Sequence, residues 1–183
     1  MNQRDNGMDE QVFAALQAYE LLKADSLAIN KGQTNQALSF TNIMHCARSP
    51  HTETAISTLD IINQVLDYRR KYRFILNHLA QLQSPKQAAA SNTAAQLMRK
   101  SEQYEITIDV NQANKVIVSV KFNPALVSEG PKRVHLHCEY DDTFYHLGLS
   151  EDAKYHYANQ IEQGGTMFAA LTHPSSHMYV VYE

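Results

Sequence analysis

The stretch Tyr104-Glu105-Ile106-Thr107-Ile108-Asp109-Val110 alternates apolar and polar side chains. A period of two is that of a strand with one face turned inward. Upstream of Glu102 the apolar residues recur at helical spacing instead. This change of period predicts an α+β chain, a helical bundle followed by a sheet. The expected division is a helical region over 9–82, a helix or linker over 83–102, and a sheet region over 103–183, in one continuous domain or two small ones.

Downstream of that stretch, Val116–Phe122 alternates in the same way, and Asn111-Gln112-Ala113-Asn114 between the two runs predicts a hairpin. Loop signals follow at Asn123-Pro124 and Gly130-Pro131. Arg133–Tyr140 and Thr143–Leu149 then predict a second hairpin around Asp141-Asp142. Ser150 with Glu151 and Asp152 has the composition of a helix N-cap and first turn, so a helix is expected at about 151–163, stopped by Gly164-Gly165. Met167–Thr172 and Met178–Tyr182 read as closing strands around Pro174-Ser175-Ser176. The expected order is ββββαββ, an antiparallel or mixed sheet with one inserted helix.

Upstream, a first helix is expected from Asp9 to about Asn30 and a second from about Asn35 to Ala47. Ser49-Pro50 reads as N-cap and first helical position of a third, which Ser84-Pro85 ends. Along it Ile61, Val65, Tyr68, Tyr72, Ile75, Leu79 and Leu82 are spaced alternately four and three apart, a heptad seam. Leu59, Ile62, Leu66 and Leu76 widen the stripe to a bundle face. The seam is the candidate interface for self-association or for another protein. Residues 86–100 are rich in alanine and glutamine and read as a fourth helix or a linker.

Hydrophobic residues at 44% against 19% charged exclude a disordered chain. No apolar run nears the ~20 residues that span a membrane. Cys46 and Cys138 form no C-x-x-C pair and are too few for a disulfide framework. Free thiols and a polar start, Met1-Asn2-Gln3-Arg4-Asp5, predict a cytoplasmic protein without a secretory leader. Net charge is −3, distributed as +2 over residues 1–102 and −5 over 103–183. An acidic sheet half disfavours nucleic acid as its partner.

Phosphate-loop, dinucleotide, nucleophile-elbow and zinc-protease signatures are all missing from the sequence. Histidine supplies the one unusual count, nine, with His135, His137, His146, His156, His173 and His177 in the last third. Strand alternation puts His135, His137 and Glu139 on one face. A two-residue turn at Asp141-Asp142 sets His137 opposite His146, His135 opposite Gly148 and Glu139 opposite Phe144. Directly opposed Cβ atoms lie ~5 Å apart. His135, His137 and His146, with Glu139 beside them, are therefore candidate ligands for a transition metal such as zinc, iron or nickel. The alternative is a solvent-facing polar side of the sheet. The H-x-H pair resembles that of cupins, but the bracketing glycines and the glutamate spacing of that family are missing.

Arg69-Arg70-Lys71-Tyr72-Arg73 is the basic run. Arg69, Arg70, Lys71 and Arg73 are candidate phosphate contacts with Tyr68 and Tyr72 for stacking, or else a solvated helix face. His45 and His51, near a helix junction, read as capping or solvated. The sequence thus points to a non-enzymatic interaction factor: an adaptor, a chaperone-like protein or a subunit of a larger complex. Its topology resembles that of small secretion chaperones. A metal-binding enzyme or sensor and a nucleic-acid-associated protein are the alternatives.

Overall fold

The computed structural model describes residues 38–80, 82–84, 96–110, 115–127 and 130–182, all within one compact unit, Leu38–Glu183. The helix expected over 9–30 lies outside these residues, as do residues 85–95. The mixed α+β class holds.

Helix α1 (Phe40–Arg48) starts at Ser39, whose hydroxyl accepts from the Asn42 amide at 3.2 Å. Its face Ile43, Cys46 and Ala47, spaced at three and four, is buried. The next helix begins three residues later than Ser49-Pro50 suggests. Ser49 closes α1 by donating its amide to His45, and Thr52 caps α2 (Glu53–Gln64) by accepting from the Ala55 amide at 3.2 Å. His45 Nε2 lies 3.3 Å from the Thr52 hydroxyl, so His45 does sit at a cap.

The long seam helix is not continuous. Val65 is extended (φ −117°, ψ 114°) and separates α2 from α3 (Leu66–Leu79). Two residues before the break, Asn63 turns its side chain to the sheet. Its amide nitrogen donates to the Phe144 carbonyl at 3.0 Å, and its oxygen accepts from the Phe144 amide at 2.8 Å. That two-way bond satisfies strand backbone otherwise left without a ladder partner.

Eight strands follow: β1 (Leu82–Ser84), β2 (Gln96–Lys100), β3 (Tyr104–Val110), β4 (Lys115–Phe122), β5 (Val134–Tyr140), β6 (Thr143–Ala153), β7 (His156–Glu162) and β8 (His177–Tyr182). They form one antiparallel sheet in the order β1-β8-β5-β6-β7-β4-β3-β2. The hairpins expected at 104–122 and 133–149 are present. Asp141 and Asp142 both have positive φ (49° and 55°), as a two-residue hairpin turn requires.

Two expectations are corrected. Residues 151–163 are not helical, because β6 runs on to Ala153, a bulge lies between Glu151 and Ala153, and β7 pairs with β4 throughout its length. Tyr157 is thereby buried opposite Val120, which a helix there would forgo. Conversely, Met167–Thr172 is not a strand but part of α4 (Thr166–Thr172), whose Ala170 and Leu171 enter the core. The order from Tyr104 is therefore βββββαβ, not ββββαββ, with the one inserted helix standing before the last strand. Residues 96–100, expected as helix or linker, are strand β2.

One face of the sheet encloses a common core in which Ile106, Val118, Val120 and Phe122 meet Leu136 and Val180. Arg99 projects from β2 towards the turn before β8 and is only 2% exposed. It donates to the His173 carbonyl at 2.9 Å, the Ser176 carbonyl at 2.8 Å and the Ser176 hydroxyl at 2.7 Å. Helices α1–α3 contact strands β6 and β8.

Candidate functional site

The pairing that the two-aspartate turn dictates is present: His137 stands opposite His146, His135 opposite Gly148 and Glu139 opposite Phe144. The face itself is not solvated. His135 is 4% exposed, His137 is fully buried and Glu139 is 6% exposed. Gly148 lies against the His135 ring, where a Cβ would make an ordinary contact of 3.8 Å with Nδ1.

From α3, the Tyr72 hydroxyl lies 3.0 Å from His137 Nδ1, and its ring meets the edge of Phe144. From α1, the Cys46 thiol donates to the Ala55 carbonyl at 3.4 Å and lies 3.8 Å from the Tyr72 hydroxyl. His51, in the turn between α1 and α2, stacks on His135 with centroids 5.5 Å apart and planes within 19°. Four imidazoles thus gather at the boundary between helices and sheet. His135 Nδ1 and Nε2, His137 Nε2 and His146 Nδ1 are buried without a hydrogen-bond partner among the described residues.

This setting favours neutral rings. Burial, then the neighbouring His51, His146 and Arg133, lower His135 to about 4. Burial, then His146 and His135, lower His137 to about 3, with the Ala47 backbone opposing. His146 is lowered by burial and by His51, against the pull of Asp60. Burial raises the Cys46 thiol to about 11 and holds the Tyr72 hydroxyl well above its ordinary range, so both stay protonated.

The expected metal triad is not assembled. Among the described residues no three His, Cys, Asp or Glu side chains are placed to hold one ion. The centroids of His137 and His146 are 6.5 Å apart, whereas two imidazoles on one tetrahedral zinc have centres about 5 Å apart. Tyr72 already occupies one nitrogen of His137.

The carboxylate expected beside the histidines has another partner. Arg73 Nε donates to Glu139 Oε1 at 3.0 Å and Oε2 at 2.8 Å, its Nη2 also donates to Oε1, and the Tyr179 hydroxyl adds a bond at 3.4 Å. This pair borders a cleft of about 260 Å³ lined also by Asn77 and His177.

The rest of the basic run is largely engaged too. Arg69 donates to the Asn63 carbonyl at 2.6 Å and Lys71 pairs with Asp67 at 3.3 Å, while Arg70 is exposed. Of the seam, Tyr72, Ile75 and Leu79 are buried inside the unit and Ile61, Val65 and Tyr68 are half-buried. Leu82 lies in β1, opposite Val180.

Sequence reading missed His51 and the Arg73–Glu139 pair, because both depend on which helix covers the strand face. The Tyr72 hydroxyl offered a faint signal, being polar at a seam position. No protein-family model matches the chain, and neither a curated protein nor a solved structure matches it.

Proposed function

We propose that the protein is a non-enzymatic interaction factor that binds another protein through the outer face and the β2 edge of the β2–β3–β4 sheet. The observation that supports this is strand β2, whose one strand neighbour among the described residues is β3. Its outward Met98 is 39% exposed, and on the same face two strands away Ile117 is 41% exposed. Thr107 and Asp109 lie between them. An edge strand offers unpaired backbone groups to an incoming strand, and apolar side chains beside that edge supply specificity.

The helical seam is the weaker candidate for the same role, since Tyr72, Ile75 and Leu79 serve the core. The test is size-exclusion of the chain in extract from its source. Wild type should co-elute with a stoichiometric heavier partner, and Met98→Glu combined with Ile117→Lys should return it to the 20.7 kDa position with an unchanged melting temperature. Elution of wild type as that monomer would refute the reading.

A further inference from the structure

We propose that His51, His135, His137 and His146 form an acid-operated latch, which holds α1 and α2 on the sheet while the rings are neutral and releases them when the rings take up protons. The placement carries this. His135, His137 and His146 belong to β5 and β6, whereas His51 belongs to the turn joining α1 to α2, so the cluster straddles the boundary between the two layers. A charge on any ring acts across that boundary.

The surroundings offer little to balance such a charge. Around the cluster stand Cys46 from α1, Asp60 from α2, Tyr72 from α3, Arg133 at the head of β5 and Tyr179 on β8 opposite His137. Cys46 and Tyr72 remain neutral, and Arg133 repels. Glu139 is closed on Arg73 and Tyr179. Asp60 alone is attractive, and it acts on His146, leaving His135 and His137 without an anion among these groups. A proton on His135 or His137 must enter a site of low polarity. A second meets a like charge in the stacked His51–His135 pair or the opposed His137–His146 pair.

Release is directional. Arg73 and Glu139 are joined by a two-point ion pair, which ties that end of α3 to β5. The α1–α2 end carries His51 and faces the cluster. Moving it away uncovers Ile43, Cys46, Leu59 and Ile62, now buried.

Hydrogen–deuterium exchange on the full chain, corrected for the intrinsic pH effect, tests the latch. Between about pH 7.5 and pH 5, peptides covering α1 and α2 should lose protection by tenfold or more while β3 and β4 keep theirs. His51→Gln, a change at an exposed ring that leaves the buried ones in place, should move the midpoint to lower pH. Unchanged protection of α1 and α2 across that range would overturn the proposal. So would loss of protection in the helices and sheet together, or an identical midpoint in His51→Gln.

Discussion

Arg73 on α3 and Glu139 on β5 meet through a two-point ion pair, with one oxygen of the carboxylate also bonded by the Tyr179 hydroxyl. A side chain that reads from sequence as part of a basic helix surface thus fastens the helical layer to the sheet. Glu139 is nearly enclosed, whereas the Arg73 side chain remains 38% exposed. Arg73→Leu should therefore cost about 2–3 kcal/mol, below the full penalty for stripping a wholly buried pair, because solvent screens the arginine side. Adding Glu139→Leu should restore part of the loss. A urea-denaturation double-mutant cycle measures the coupling, and additive losses would contradict it.

Asn63 makes two bonds to the Phe144 backbone, one in each direction. Asn63→Asp turns the donor into an acceptor facing the Phe144 carbonyl, and should cost about 1–3 kcal/mol. A unit of this size loses roughly 2–4 °C of melting temperature per kcal/mol. Asn63→Ala should be milder than Asn63→Asp in the same thermal melt.

Tyr72→Phe removes one hydroxyl from between Cys46 and His137 and leaves ring packing intact. The loss of a buried partner should cost about 1–2 kcal/mol. Guanidinium denaturation should show a lower midpoint with an unchanged slope.

The buried histidines fix a pH dependence whose sign follows from their shifts. His135 and His137 titrate at about 4 and about 3 when folded, against 6.5 for an unshifted histidine. Between these values the unfolded chain binds protons that the folded chain refuses. The stability contribution is therefore complete above pH ~6.5 and is lost as pH falls towards the folded values. Each ring contributes about 1.4 kcal/mol per pH unit in that window, so by pH ~5 the two together remove about 4 kcal/mol. Replacing both by glutamine should flatten the plot of unfolding free energy against pH, whatever the variant's absolute stability.

Arg99 forms three bonds to the turn before β8. Arg99→Met keeps the stem and removes the donors, taking from the Ser176 carbonyl its bond to Arg99, while the His173 carbonyl still accepts from the Ser176 amide and hydroxyl. A loss of about 2–3 kcal/mol is expected, with amide exchange in β2 accelerating before that in β4. Exchange read strand by strand distinguishes this from uniform loosening.

The pairing of His137 with His146 was legible because two aspartates in a tight turn leave the backbone one register. What covers the face they share was not, since strand alternation separates two sides without saying which one meets a helix. Ser150-Glu151-Asp152 carries the same local chemistry at the end of a strand as at the start of a helix. The tie is broken by Tyr157, which is buried only when β7 lines up with β4. The break at Val65 was hidden for a similar reason: the periodicity of the seam continues across it, and the partner that Asn63 bonds beside the break is Phe144, far along the chain.

Strand β6 has a consequence for how the chain reaches this structure. Its first half is laddered to β5 and its last residues to β7, so among the described residues it is the one strand that joins both halves of the sheet. Hairpins β3–β4 and β5–β6 can close early from neighbouring residues, while β8 must wait for the end of the chain before it reaches β5. Contacts so distant in sequence slow the search. During that wait β5 presents an open flank along His135, His137 and Glu139, residues that finish buried. The order of assembly therefore holds the most polar part of the interior in water until last.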